Sequence, residues 1–167
     1  MIETERLLIK PLLAEELIKH IKFPVELAKE LGFKPSKALI DEQTQEAILN
    51  DLLPNIIDPN KDSLFYTMWI IIEKKEKAII GGICFHGQAN ESGEVEIGYG
   101  IDDEYMNKGY MTETIQALLY WLEKRKDIRI VKAETEQTNI SSIKVLEKTG
   151  FKLFNQAGNL MVFNYKL

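Results

Sequence analysis

The stretch that decides the fold is Glu96–Thr112, "EIGYGIDDEYMNKGYMT", read together with its continuation Glu113. It begins as an alternating strand, passes through an acidic turn, and reaches Asn107-Lys108-Gly109 just before an apolar segment of helical period. Glycine destabilises a helix interior, so Gly109 belongs at the entrance. A helix entrance presents backbone N–H groups without intrahelical partners, and with the helix dipole these form an anion site. The spacing is neither Gly-x-x-x-x-Gly-Lys-Ser/Thr nor Gly-x-Gly-x-x-Gly, so neither a triphosphate loop nor a dinucleotide fingerprint is present.

Outward from this stretch, the pattern resolves into one domain over residues 1–167, without repeats, low-complexity tracts or a Gly/Ser linker. Upstream, "RLLIKPL" reads as a strand ending at Pro11. "LAEELIKHI" carries Leu13, Leu17, Ile18 and Ile21 at helical spacing, and "PVELAKELGF" reads as a helix from Pro24 to Gly32. "DEQTQEAILNDLLPNII" reads as a helix from Asp41, interrupted by Pro54. From Leu64 the chain becomes aromatic and β-branched. "LFYTMWIIIE", "AIIGGICFHG" and "EVEIGYGI" form a three-strand meander with turns at "KKEK" and "ANESG". Downstream come the helix from Gly109 to about Lys124, a strand "IRIVKAETE" alternating at Ile128, Ile130 and Ala133, a helix "NISSIKVLEKTGF" closed by Gly150, and a terminal hairpin. The order predicts an α/β (α+β) sheet of about seven strands, mixed in pairing and flanked by helices.

Composition narrows the function classes. Hydrophobic residues make up 45% of the chain and charged residues 28%, the balance of a globular protein with a full core. The net charge is −5, and lysine and arginine are mixed with glutamate instead of forming a basic face, which argues against a nucleic-acid binder. The densest basic run, Lys124-Arg125-Lys126, closes a helix, where cations complement the dipole. The start, "MIETERLLIKPL", lacks the long apolar run of a leader, and runs such as Met68–Ile72 fall far short of a membrane span. Cys84 is the sole cysteine, so no intramolecular disulfide forms, and a reducing cytoplasm is the expected setting. Cys84 lies in an apolar strand and reads as core. His20 and His86 lack metal-ligand spacing, so no metal is expected.

"EIGYGIDDEYMNKGYMTE" followed by "TNISSIKVLEKTGF" resembles the GNAT acetyltransferase superfamily. The family pattern is Glu-Ile-Gly-Tyr, an acidic turn, Gln/Arg-x-x-Gly-x-Gly/Ala, Thr-Glu, then Asn-x-x-Ser/Ala and Glu-Lys-x-Gly-Phe. The opening "TERLLIKPL" is similar to the start of the branch containing ribosomal-protein N-terminal acetyltransferases. The resemblance implies a single N-acetyltransferase domain whose sheet splays at one strand pair to admit acetyl-CoA. The pantetheine arm would run beside Tyr99, Gly100 and Ile101. The pyrophosphate would lie on Met106, Asn107, Lys108, Gly109, Tyr110, Met111 and Thr112, in agreement with the independent reading of the helix entrance as an anion site. Two positions depart from the pattern: Met106 stands at the usual Gln/Arg and Met111 at the second Gly/Ala, so the Met111 side chain must turn away from the cofactor or the loop must shift.

The same resemblance assigns chemistry. Acetyl transfer to an amine requires a proton acceptor, a donor toward the thioester oxygen, and a proton for the departing thiolate. Glu96 matches the family's base, and Glu94, two residues away on the same face, is the alternative. Ser142 takes the acid role in the Asn-x-x-Ser form, because the family's frequent helix tyrosine is Leu146 here. Asn139 is a preferred N-cap and, by resemblance, a cofactor contact. The implied reaction is direct attack by a primary amine in a ternary complex, with a protein N-terminus as the branch-level acceptor. A small amine acceptor, or a non-catalytic acyl-CoA-binding module on the same fold, remain the alternatives. The acceptor would be selected by the early helices and terminal loops, around residues 23–35 and 155–159, and the oligomeric state is left open.

Overall fold

The structure is a computed structural model that describes residues 1–38, 40 and 42–167. Eight strands form one sheet in the order β1-β2-β3-β4-β5-β6-β8-β7. They are β1 (Ile2–Glu3), β2 (Leu7–Pro11), β3 (Met68–Glu73), β4 (Ala78–Phe85), β5 (Glu94–Ile101), β6 (Ile130–Glu136), β7 (Lys152–Ala157) and β8 (Leu160–Lys166). Every neighbouring pair is antiparallel except β5 and β6. The sheet thus has one strand more than the sequence pattern shows, because β1 is only two residues long and too short to carry a period.

Helices cover both faces. On one side α1 (Ala14–Lys22), α2 (Pro24–Glu30), α3 (Glu42–Ala47) and α4 (Leu53–Ile56) accompany a core built on Leu17, Leu27, Ile48, Ile70 and Ile72. On the other, α5 (Tyr110–Leu122) and α6 (Ile140–Lys148) contribute Ile115, Leu118, Leu122 and Leu146 to the larger core around Trp69, Phe85, Val131 and Phe163. Period two along the strands feeds both layers at once: β3 reads "MWIIIE", with five of its six residues buried.

Three local expectations are corrected. Pro54 does not interrupt its helix. The irregularity lies upstream, where Ile48–Leu52 form a π turn and the Leu53 N–H reaches Ile48 O. The wider turn accommodates a proline that has no N–H to donate. Asp41, where the sequence pattern starts this helix, lies outside the described residues. Strand character does not begin at Leu64: Ser63–Phe65 is a 3₁₀ turn capped by Asp62, whose carboxylate accepts from Leu64 N at 3.1 Å. In β6 the buried face is Val131, Ala133 and Thr135, offset from the Ile128–Ile130 stripe. Gly93 O accepts from both Arg129 N and Ile130 N, so the chain turns just before the strand begins.

Two features position the middle of the sheet. The β3–β4 register shifts between Ile71 and Ile72, leaving Ile80 as the extra residue of a bulge. Next to it, a Cβ on Gly81 would lie 2.3 Å from Gly100 O and 2.8 Å from Ile101 Cα, so only glycine lets the end of β5 close against β4. The N-terminal segment grips α5: Thr4 Oγ1 donates to Glu113 Oε1 at 2.6 Å, Arg6 N to the same oxygen at 3.0 Å, and Arg6 Nε to Glu113 Oε2 at 2.6 Å. Burial pushes the Glu113 carboxyl up, but these donors outweigh it and hold the pKa below the ordinary carboxylate value. Glu113 is therefore more than a complement to the helix dipole.

Gly81→Ala is expected to destabilise the fold by about 1–3 kcal/mol or more, as overpacking against backbone does, and a urea titration checks it. Glu113→Gln is expected to cost about 1–3 kcal/mol at neutral pH, the range for hydrogen bonds to a charged group. Because the folded pKa of Glu113 is depressed, its contribution is present above the unfolded carboxylate pKa and disappears as pH falls through the folded one. The variant should therefore match wild type more closely at acid pH than at neutral pH, measured as thermal midpoints across pH.

Candidate active site

The site begins where β5 loses a partner. β5 and β6 pair in parallel from Glu94↔Ile130 to Ile97↔Ala133, and the ladder stops there. β5 continues to Ile101 against β4, while β6 continues to Glu136 against β8. Gly98, Tyr99, Gly100 and Ile101 consequently present a strand edge that β6 leaves unpaired, in line with the splayed pair expected from the sequence. An unpaired edge offers backbone donors and acceptors to an extended ligand.

The α5 entrance lies just beyond that edge in the chain. Asn107 (φ 59°) and Gly109 (φ 81°) are both left-handed, which asparagine and glycine tolerate best. Gly109 is the N-cap residue and makes no side-chain cap. Met111 is 5% exposed and packs into the core, so its side chain turns away from the entrance. Met106 is exposed on the loop. Arg6 Nη1 donates to Lys108 O at 3.0 Å, and its guanidinium lies 4.4 Å from the centre of the Tyr110 ring. Lys108 Nζ lies over Tyr105 at 5.2 Å from the ring centre. Thr112 sits in the first turn and is half-buried. The backbone of residues 107–112, with Lys108 and Arg6 beside it, suits a phosphate group.

On the α6 side, Asn139 caps the helix by accepting from Ser142 N at 3.1 Å. Ser142 Oγ and Tyr99 Oη lie 2.9 Å apart, so one hydroxyl donates to the other. Burial raises the Tyr99 pKa, partly opposed by this hydrogen bond. Leu146, the position of the family's helix tyrosine, is completely buried. The Tyr99 and Ser142 hydroxyls meet on this side of the strand.

The opposite face of β5 carries Glu96. His86 Nδ1 lies 2.8 Å from Glu96 Oε1, and His86 N donates to Glu96 O at 2.9 Å, so the two residues are cross-strand partners. This hydrogen bond holds the Glu96 pKa below the ordinary value against the opposing effect of burial, with Lys132 contributing further. Hydrogen bonding to Cys84 and Glu96 carries the His86 pKa up to about 10 despite its burial. Glu94 instead accepts from Asn90 Nδ2 at 3.0 Å, within the β4–β5 turn and away from the unpaired edge.

Sequence reasoning missed His86, which it weighed only as a metal ligand. The signal was available in the hairpin: counting outward from the "ANESG" turn places His86 opposite Glu96. Cys84 is also corrected. It is half-buried rather than core, because it shares the face of His86 and not that of the buried Ile83 and Phe85. Among the described residues, no three His, Cys, Asp or Glu side chains gather as metal ligands, and no helix is long and apolar enough to cross a membrane.

Comparison with known proteins identifies the family. Residues 6–152 match the family model described as "Acetyltransferase (GNAT) domain". The chain is 31% identical over 153 residues to the uncharacterized N-acetyltransferase YjdG of Bacillus subtilis (strain 168), covering 92% of this chain and 90% of that protein. Its fold is similar to RimL, a ribosomal L7/L12 alpha-N-protein acetyltransferase solved with coenzyme A, at a TM-score of 0.69 and 16% identity over 98% of this chain and 96% of that one. It is also similar to the ribosomal-protein-S5-alanine acetyltransferase of Vibrio fischeri, at a TM-score of 0.67 and 18% identity over 98% of this chain and 94% of that one. With the parted strands, the phosphate-ready helix entrance and this match, the chain belongs to the GNAT acetyltransferase family.

Proposed function

We propose that this acetyltransferase moves the acetyl group of acetyl-CoA onto the α-amine of a protein or peptide by direct attack in a ternary complex. The observation that carries the reading is the unpaired edge Gly98–Ile101, which lies between an anion-binding helix entrance and an anionic Glu96 on the other face. Acetyl-CoA supplies an activated thioester. Residues 107–112 hold its pyrophosphate, with Met106, Lys108 and Tyr110 around them, and the edge of Tyr99, Gly100 and Ile101 holds its arm. Asn139 keeps the mouth of α6 in shape.

Glu96 is the proton acceptor. His86 occupies Oε1, so Oε2 faces the amine or a water. Glu94 is engaged in its turn and is the weaker candidate. Ser142, hydrogen-bonded to Tyr99, supplies the proton for the departing thiol. The chemistry of Glu96 also bears on the acceptor. A carboxylate held below its ordinary pKa is a weak base toward an alkylammonium of pKa about 10.4, but an α-amine of pKa about 7.7–8.0 is partly neutral near pH 7. The base then needs only to take the proton as the bond forms. The relation to two ribosomal-protein acetyltransferases points the same way, toward an α-amine rather than a polyamine or antibiotic amine. The cytoplasm is the setting we read for it.

An acceptor screen read by release of free thiol tests this. Peptides with free N-termini should outperform small alkylamines, and Glu96→Gln should lower kcat by about 10²-fold or more, the usual loss of a general base. Small alkylamines outperforming every peptide would reassign the acceptor. Tight coenzyme A binding without thiol release for any amine would leave a binding module.

The contacts of His86 with Cys84 and Glu96 also make stability depend on pH. The folded protein keeps the His86 proton up to about pH 10, whereas the unfolded chain releases it near 6.5. The contribution is complete below pH 6.5 and is lost as pH rises through about 10. Urea midpoints of the wild type should therefore fall more steeply across that window than those of His86→Gln.

A further inference from the structure

The face of β4 and β5 that holds Glu96 also holds a thiol. Cys84 stands opposite Gly98 in the β4–β5 ladder, and the next pair on that face is His86 with Glu96. Gly98 has no side chain, and the imidazole leans into the space. A Cβ built there would lie 3.0 Å from His86 Nε2 and 3.6 Å from Cys84 Sγ. With Nδ1 fixed on Glu96 at 2.8 Å, Nε2 is the nitrogen turned toward the sulfur. Thiol, imidazole and carboxylate thus stand in file, the order in which an acid orients a base and the base activates a nucleophile.

Two further observations separate this group from an inert core cysteine. Cys84 is half-buried, so reagents reach it. Beyond Cys84, Gly98 and Gly100 leave the strand bare on this face, and nothing approaches within 4 Å of a Cβ built on Gly100. Past the imidazole over Gly98, this face is open at Gly100, on the edge where β6 has left.

We propose that Cys84 is a second acyl acceptor, taking the acetyl group from acetyl-CoA as a protein thioester when no amine occupies the acceptor face. His86 is its proton partner, and Glu96 positions His86. In this step the bond from Cys84 Sγ to the acetyl carbon forms, and the bond from that carbon to the coenzyme A sulfur breaks. His86 gives its Nε2 proton to the departing sulfur and takes up the proton of the Cys84 thiol in its place, so the proton count is unchanged. One thioester replaces another, so no oxidant or reductant enters. The inference rests on the acetyl-CoA reading above, and it gives the chain a covalent state that the direct route does not use.

The test incubates the full chain with acetyl-CoA carrying an isotopic acetyl group, without amine, and quenches in acid before mass spectrometry. In parallel, a thermal-shift measurement with coenzyme A reports binding. The expected result is one acetyl group on the peptide that contains Cys84, removable by neutral hydroxylamine, absent in Cys84→Ala, and formed about tenfold or more slowly in His86→Gln, as loss of a proton partner implies. Iodoacetamide should likewise alkylate Cys84 about tenfold or more faster in the wild type than in His86→Gln. A thermal shift with no acetyl group on Cys84 would overturn this proposal and leave the acetyl-CoA reading standing. Absence of any shift would overturn both. Equal alkylation rates in wild type and His86→Gln would remove His86 from the proposal.

Discussion

The site depends on the ladder between β5 and β6 ending at Ile97↔Ala133. In a sheet, each backbone N–H and C=O normally finds a strand on either side, and leaving them unpaired is costly when they are buried. Here the chain accepts four residues of unpaired edge in the middle of an eight-stranded sheet. The partners of β6 explain how. β8 pairs with β6 along its whole length, from Ile130↔Lys166 to Glu136↔Leu160, and carries it away from β5. β4 holds β5 on the other side to its last residue, and Gly81 permits the close contact there. Each strand of the diverging pair is thus fixed by its outer neighbour, and the gap between them needs no contact across it to persist.

The α5 entrance is fixed from a distance in sequence. Glu113 accepts three hydrogen bonds from Thr4 and Arg6, and Arg6 also reaches Lys108 O. The loop of residues 107–109 is therefore held from behind by the turn between β1 and β2. Asp102 plays a similar part at the start of the loop: it is 4% exposed and accepts from Ser36 Oγ at 2.6 Å and Lys37 N at 2.9 Å. An anion site built from backbone works only if the loop is already in shape when the anion arrives, because ordering it afterwards would cost conformational entropy.

Much of this was legible in the sequence. The bounds of β5 and the caps at Gly109, Asn139 and Gly150 follow from local chemistry, and local chemistry acts wherever it occurs. What could not be read was long-range. The pairing of Glu113 with Thr4 and Arg6 joins residues more than a hundred positions apart. The destination of the Met111 side chain depends on the core beneath it and not on its neighbours in sequence. β1 is too short to show a period, and the π turn before Pro54 relieves a conflict that a helix pattern cannot display. Cys84 was read as core because its neighbours are apolar. In a strand those neighbours face the other way, so the apolar run says little about the side on which the sulfur lies.

The two faces of β5 complete the argument. Tyr99 points to the α6 side and meets Ser142, while Glu96, Gly98 and Gly100 belong to the other face, with His86 and Cys84. The proposed proton donor and proton acceptor therefore stand on opposite sides of one strand and do not neutralise each other by direct contact. They share only the strand edge, which is where a thioester held by that edge would be accessible from both sides. In the reaction proposed above, an amine approaching from the Glu96 face gives up its proton there, and the sulfur leaving toward the Tyr99 face receives one from Ser142. In the proposed reaction, the alternation of a β-strand, combined with the loss of one neighbouring strand, separates the two proton transfers in space.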